Sequence, residues 1–504
     1  GVEIIVRQDG EKRVVQSSEG MTLLEALRGA GATVEAPCGG NGTCKKCRVL
    51  VRDDEGVSYR LACQTKVHEH MEVTLQKDRP MEVTTAGMAR QWSSDWRKGG
   101  FGVSVDVGTT TVVCRLYELA SGKLLSSAGN SNAQIVFGAD VITRIKAADD
   151  GHLEEMRRLI CDEVASLIAT LCKKTGVRRE EVVSIALAGN TTMEHIAAGL
   201  DPHGIGIAPF EPVTLFGSQV EFLGEQAFFA PCVAGYVGGD ITCGLLAIDV
   251  RSEDEPVLFL DLGTNGEMAL GDRSGIITCA TAAGPVFEGS NVRFGMPAYP
   301  GAISSVRLAD GRLELEVIGG EEPVGICGTG LIDAVALLLE LGIVDETGRM
   351  LDDDEAADEV DDEDLAGRVF ELDGRPAFRL AGEIAITQED IRNLQLAKAA
   401  VMGGIETLME RRGIDAFDVA KLQIAGGFGQ YLDLRNAARI GLFPEELLDK
   451  AASVGNTSIE GASAVLLSSA AREELARIVE VCDYVELSGD AAFNAHYIDA
   501  MMFE

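Results

Sequence analysis

Two segments 155 positions apart follow one pattern: Phe101 to Thr111 reads FGVSVDVGTTT, and Val257 to Gly266 reads VLFLDLGTNG. Aligned, they share an apolar strand, an aspartate (Asp106 and Asp261) and a Gly-Thr pair. A device repeated at that distance predicts two related halves facing each other. Each strand runs into a turn rich in N–H groups and hydroxyls, which suits an anion. The first turn offers Gly108, Thr109, Thr110 and Thr111; the second offers Gly263, Thr264 and Asn265. Each aspartate can hold Mg2+, or its waters, beside phosphates. A third turn, Gly426-Gly427-Phe428-Gly429, follows an apolar strand and lets the backbone come close to a nucleoside. One D-x-G-T would be no more than a hairpin turn, but the three together predict a nucleotide cleft. The chain has no G-x4-G-K-[ST], so a P-loop does not account for it.

Residues 101–504 alternate strand and helix patterns, as an α/β chain does, and are expected to divide into halves at 101–250 and 251–504. A helix is predicted from Gln388 to Arg412, with Thr387 as N-cap, Asp390 completing the capping box and Gly413 ending it. The run 352–364 (DDDEAADEVDDED) holds ten acids and reads as a solvated acidic loop.

The first 80 residues differ in kind. Val2, Ile4 and Val6 alternate before the turn Gln8-Asp9-Gly10, a helical segment spans Thr22 to Arg28, and a second hairpin turns at Asp53-Asp54-Glu55-Gly56. Strand, strand, helix, loop and hairpin fit a small β-grasp unit. Cys38, Cys44, Cys47 and Cys63 form C-x5-C-x2-C-x15-C. Four thiolates so spaced can hold a tetrahedral zinc or a [2Fe-2S] cluster. Gly39, Gly40 and Gly42 let main-chain N–H groups wrap bridging sulfides, and only one C-x2-C knuckle is present, so the cluster is favoured. His68 and His70 would share one face of a strand but stand outside the ligand pattern. The other eight cysteines show no metal spacing and read as buried thiols. Residues 81–100 are expected to form a connector, where the i,i+4 spacing of Trp92 and Trp96 would put both rings on one helical face against a neighbouring domain.

Charge limits the partners. The chain carries 44 Lys+Arg and 80 Asp+Glu, a formal −36, which argues against nucleic acid and anionic membranes. Residues 1–80 contain 12 basic and 12 acidic side chains, so the excess lies in the remainder. No apolar run reaches the roughly 20 residues of a membrane helix, no secretory signal opens the sequence, and a cytoplasmic location is expected.

The cysteine segment resembles the plant-type and adrenodoxin-like ferredoxins, which implies one-electron transfer at a potential on the order of −400 mV. Asp106 to Thr111, Asp261 to Asn265 and Gly426 to Gly429 resemble the phosphate and adenosine loops of the ASKHA superfamily, with an actin-like, ribonuclease H-like fold of two lobes. That resemblance implies ATP and Mg2+ as ligands, and Gln134, Asp140 and Ile326 to Gly330 match further segments between the lobes. Asp240 and Glu267 are the candidates to orient the attacking water, a structural carboxylate being the other reading of each.

A ferredoxin domain joined to an ASKHA ATPase resembles the reductive activators of corrinoid proteins, as do the segments NSNAQIVFGADVITRI, ALAGNTTMEH, ICGTGLIDA and QLAKAA. The resemblance implies an ATP-dependent iron–sulfur reductase that returns a corrinoid protein from Co(II) to Co(I), served by a low-potential electron donor. It suggests a homodimer, although the short connector leaves that open. The alternatives are an activator of another low-potential metalloenzyme such as a 2-hydroxyacyl-CoA dehydratase, a small-molecule kinase, or a non-enzymatic redox-binding module.

Overall fold

Alternation drives the first unit of the fold. Val2, Ile4 and Val6 point inward along the strand Val2–Gln8, which pairs antiparallel with Glu11–Ser17. The helix Leu23–Gly29 starts at a capping box: Glu25 N–H donates to the Thr22 hydroxyl, and Thr22 N–H donates to the Glu25 carboxylate. Its apolar side chains cover the sheet. The hairpin Arg48–Asp53 and Gly56–Leu61 fills the interval between Cys47 and Cys63. The strand Glu72–Leu75 then enters between Val2–Gln8, to which it runs parallel, and Arg48–Asp53, closing a five-stranded β-grasp sheet. In this computed structural model the described residues are 1–8, 11–32, 34, 36, 40–42, 47–75 and 88–504, without the side chain of Tyr59. The predicted Asp9-Gly10 turn, Cys38, Gly39, Cys44 and the connector up to Gly87 lie outside them.

Two expectations fail at this end of the chain. His68 and His70 lie outside any strand: His70 sits in a turn with φ +64°, and His68 Nε2 lies 3.0 Å from Asp53 Oδ2. Trp92 and Trp96 do not share a helical face, because residues 88–100 form no helix. Both rings nevertheless pack on the body, and Trp96 Nε1–H donates to Leu466 O at 2.9 Å. Partial burial of the indoles, rather than helical spacing, seats residues 88–100 on the body.

The body consists of two sheets built alike. In the first, Phe101–Val107 pairs antiparallel with Thr111–Glu118, which pairs with Lys123–Ser131, while Val182–Gly189 runs parallel on its other side. In the second, Val257–Leu262 pairs antiparallel with Gly266–Asp272, which pairs with Gly275–Thr281, and Lys421–Ala425 runs parallel. Each sheet has six strands. The internal repeat is thus a repeat of topology, with the Gly-Thr turn joining the first two strands of each half.

Helices Gly239–Ala247 and Thr457–Leu467 cross between the sheets with their backbones almost touching: a Cβ on Gly461 would lie 2.2 Å from Cys243 O. Their apolar residues form a core shared by both halves. The helix Gln388–Arg412 begins at the Thr387/Asp390 capping box and ends at Gly413, as expected. The acidic run is not a loop. It contains the helices Asp353–Glu359, capped by Asp352, and Glu363–Ala366, capped by Asp362. Acids favour helix N-termini by accepting N–H bonds and by opposing the helix dipole. Most of these carboxylates remain exposed, so the run is solvated but helical.

Candidate functional site

The two Gly-Thr turns face each other across a cavity of about 1250 Å3. Gly108 N–H donates to Thr111 O at 2.9 Å, and Gly263 N–H donates to Asn265 O at 3.1 Å, so both loops are tight turns that leave hydroxyls facing the cleft. Thr109, Thr110, Thr111, Thr264, Asn265, Gly426, Gly427 and Phe428 all line the cavity, as predicted, together with Asp106, Asp240, Asp261 and Glu267. Gly426 has φ +91°, where a side chain is strained, and a Cβ there would lie 3.1 Å from Asp261 Oδ1. The Phe428 ring stands 5.4 Å from that of Phe287. Gly429 is a correction: it does not line the cavity, and its missing Cβ makes room for Ser453 Oγ. Gln134 is buried and donates to Met156 O, and Asp140 caps the helix Val141–Ala147, so neither reaches the cleft.

Five carboxylates converge on the cleft, and burial raises all of them. Asp106 is tempered by donors from the opposite half: Asn456 Nδ2–H and Ser458 Oγ–H each bond to it at 2.9 Å. Asp261 is pushed up to about 7 by burial, then by the charges of Asp106 and Glu288. Asp261 and Glu267 are directly opposite partners in their antiparallel ladder, so they share one face of the sheet. Burial, then Asp240 and Asp261, hold Glu267 well above the usual carboxylate range; burial, then Asp261 and Asp106, do the same to Asp240. The fifth is Glu288, also raised by burial.

Such a set of buried, mutually repelling acids fits a divalent cation beside phosphates. Direct ligation by three of them is not what the geometry offers. Among the described residues, the three acidic side chains whose ligand atoms come within 4.8 Å of one another are the exposed Asp352, Asp353 and Asp354, far along the chain. The cleft therefore suits an ion that keeps waters and phosphate oxygens as ligands, as Mg2+ does.

Sequence patterns did not single out three contributors. Glu288 bridges the two loops, accepting from Thr110 Oγ at 3.0 Å and from Thr264 Oγ at 2.7 Å. Asn190 Nδ2–H bonds to Thr109 Oγ at 2.9 Å. Asn132, fully buried, holds the first loop from beneath: its N–H donates to Thr110 O at 2.8 Å and its Nδ2–H to Gly108 O at 2.9 Å. Each asparagine sits just beyond a strand and caps a helix, and each lies in one of the segments that resemble the family, NSNAQIVFGADVITRI and ALAGNTTMEH.

In the first unit, Cys47 and Cys63 are 1% and 5% exposed. Cys63 N–H donates to Cys47 Sγ at 3.5 Å, and Gln64 Nε2–H donates to Cys63 Sγ at 3.5 Å and to Gly40 O at 3.2 Å. Gly40, at φ +92°, brings its backbone against Cys63. Amide donors on paired, buried sulfurs fit thiolate ligands of an iron–sulfur cluster. This unit lies over the cleft. Leu50 packs into an apolar patch with Met296, Ala302 and Val324, and Arg52 Nη2–H points to Phe294 O at 3.4 Å. Arg7, Arg48 and Thr74 line the same cavity as the phosphate loops. The cavity therefore exceeds the roughly 300–1,000 Å3 of a small-ligand site. No helix among the described residues is long and apolar enough to cross a membrane.

Comparison with known proteins matches each of these units. Residues 6–68 match the 2Fe-2S iron-sulfur cluster binding domain, 101–253 the RACo middle region, and 255–504 the C-terminal domain of RACo, the ASKHA domain. The corrinoid activation enzyme RamQ of Eubacterium limosum is 30% identical over 98% of both chains. A Methanosarcina barkeri protein, [Co(II) methylated amine-specific corrinoid protein] reductase, is 25% identical over 79% of this chain and 76% of its own. A solved structure titled reductive activator for corrinoid,iron-sulfur protein superposes with a TM-score of 0.71 at 31% identity, covering 100% of this chain and 98% of that one.

Proposed function

The chain belongs to the RACo family of reductive activators of corrinoid proteins, and on that premise we propose that it is an ATP-dependent one-electron reductase that returns a corrinoid protein from Co(II) to Co(I). The observation that carries this reading is the seating of the ferredoxin unit, with Cys47 and Cys63, directly over the acidic two-loop cleft. A low-potential donor loses one electron and cobalt gains it. That transfer runs uphill from an ordinary ferredoxin potential, so nucleotide binding or hydrolysis has to favour a conformation in which it proceeds.

Cys38, Cys44, Cys47 and Cys63 would hold the cluster, which supplies a one-electron carrier when bound. Gly108 to Thr111 and Gly263 to Asn265 would take the phosphates, and Gly426, Gly427 and Phe428 the adenosine. Asp106, Asp240, Asp261 and Glu267 would hold Mg2+ through its waters, where it supplies positive charge against the phosphates. Burial and the neighbouring carboxylates raise Asp240 and Glu267, the charge of a cation opposes that rise, and either can then orient the water that attacks the terminal phosphate. The chemistry is expected in the cytoplasm.

The test is anaerobic mixing of iron-loaded protein, reductant and MgATP with Co(II) corrinoid proteins, following Co(I) absorbance. Co(I) should form only with ATP, and Cys44→Ala should abolish it. Co(I) formation at the same yield without nucleotide would refute the reading.

A further inference from the structure

The ferredoxin unit, the head of the molecule, reaches the first phosphate loop through a polar contact with an unusual address. Arg48, one residue after Cys47, donates through Nη1–H to Asn132 O at 3.2 Å. Asn132 in turn holds Gly108 O and Thr110 O of the first phosphate loop, and its Oδ1 accepts from Gln134 N–H at 3.0 Å. A buried residue with every polar group engaged cannot shift alone, so a displacement of the loop is passed to whatever bonds its carbonyl. The charge balance points the same way. Among the described residues lining the cavity, Arg7 and Arg48 are the two positively charged side chains, and both come from the head. Arg7 is paired with Glu72, which leaves Arg48, among the described residues that line the cavity, as a cation that can answer added phosphate charge.

We propose that Arg48 is a positioning residue that couples nucleotide binding to the potential of the cluster, by linking the Cys47 segment through Asn132 to the first phosphate loop. The inference rests on the cleft being a nucleotide site, as read above. It fixes a direction. A guanidinium one residue from a ligand sulfur stabilises the negative charge that an added electron brings. Phosphates entering the cleft draw that guanidinium toward themselves and add negative charge nearby, and both effects make reduction harder. Nucleotide therefore lowers the potential and turns the protein into a stronger reductant, the change that cobalt reduction needs. Coupling is reciprocal, so the oxidised protein must bind nucleotide more tightly than the reduced protein by the same factor.

The experiment uses the iron-loaded full chain and the β,γ-imido analogue of ATP with Mg2+. Analogue affinity is titrated for oxidised and reduced protein, and the midpoint potential is followed by electron paramagnetic resonance with and without analogue. In the unmodified chain we expect about tenfold tighter binding to the oxidised form and a matching fall of about 59 mV. Arg48→Ala should shrink both to the part that the phosphate charge exerts by itself, and Arg48→Lys should restore part of each. A full potential shift in Arg48→Ala, with iron and sulfide content intact, overturns the proposal. Should Arg48→Ala fail to load iron, hydrogen exchange on the unmodified chain decides: analogue should slow exchange in residues 48–53 as well as 108–111, and unaltered exchange in 48–53 overturns it. No binding of analogue to the unmodified chain would instead defeat the nucleotide reading itself.

Discussion

Asp106 and Asp261 occupy matching places in the two halves of the body, each at the end of the first strand and before a Gly-Thr turn, yet their surroundings give them different tasks. Both oxygens of Asp106 accept hydrogen bonds from Asn456 and Ser458, at the start of a helix that crosses from the other half. Asp106 thus ties the halves together. Asp261 faces Glu267 and Gly426 and is driven up to about 7 by burial and by Asp106. It is the member of the pair whose proton can be exchanged for a cation near neutral pH. A duplicated motif duplicates the backbone turn, while neighbours distant in sequence decide what each carboxylate does.

The largest expected break in this comparison is Asp106→Ala. It leaves Asn456 and Ser458 without their shared acceptor, and losing hydrogen bonds to a charged group costs roughly 1.5–3 kcal/mol. Analogue affinity should fall on the order of a hundredfold, about 2.7 kcal/mol. Chemical reduction of the cluster, followed by its visible spectrum, should be unchanged. Equal loss of cluster reduction would show that head and body do not divide the work.

Asp261 should show itself through pH. Its folded-state value, about 7, lies above the ordinary aspartate value, so its contribution to stability is full below about 3.9 and is lost as pH rises through about 7. Without Mg2+, the thermal transition of the body should therefore fall between about pH 4 and 7 and level off above, and Asp261→Asn should flatten that trend. Mg2+ and nucleotide select the ionised form, so affinity should rise with pH, about tenfold per unit below 7 for a single released proton. The same pH slope surviving in Asp261→Asn would assign the exchange to another of the four remaining acids.

What could be read without coordinates follows the range of the forces involved. The helix Gln388–Arg412 was legible to the residue, because Thr387, Asp390 and Gly413 act on neighbours a few positions away. The two halves were legible because the strand-turn signal occurs twice. Capping was overlooked where composition dominated: Asp352 and Asp362 start helices inside a run that looked like a loop. The Trp92/Trp96 spacing misled because tertiary burial, not a helix, seats those rings. Asn132 and Glu288 could not be found, since each is defined by partners across the fold: Glu288 meets Thr110 from 178 positions away. The ferredoxin unit was legible as a unit, but not its place over the cleft, which depends on Leu50 and Arg48 meeting surfaces far along the chain.

Glu288 sharpens the comparison most finely, because among the described residues it is the side chain that bonds both loops. Its carboxylate accepts hydrogen bonds from the Thr110 and Thr264 hydroxyls, the same donors a phosphate would use. It also stands where a Cβ on Gly263 would be 3.2 Å from Oε1, so it fills the space beside the second loop. Its negative charge opposes an incoming phosphate. Glu288→Gln keeps the length and one carbonyl acceptor while removing the charge, and the amide group can still meet the second threonine. Analogue affinity should therefore rise, by about threefold to tenfold, the scale of one hydrogen bond worth 0.5–1.5 kcal/mol. Glu288→Ala, which frees both hydroxyls but unlinks the loops, separates the two roles. If it binds more tightly than Glu288→Gln, the carboxylate acts mainly as a competitor for the phosphate. If it binds more weakly than the unmodified chain, holding the two loops in register matters more, and the halves depend on Glu288 as they do on Asp106.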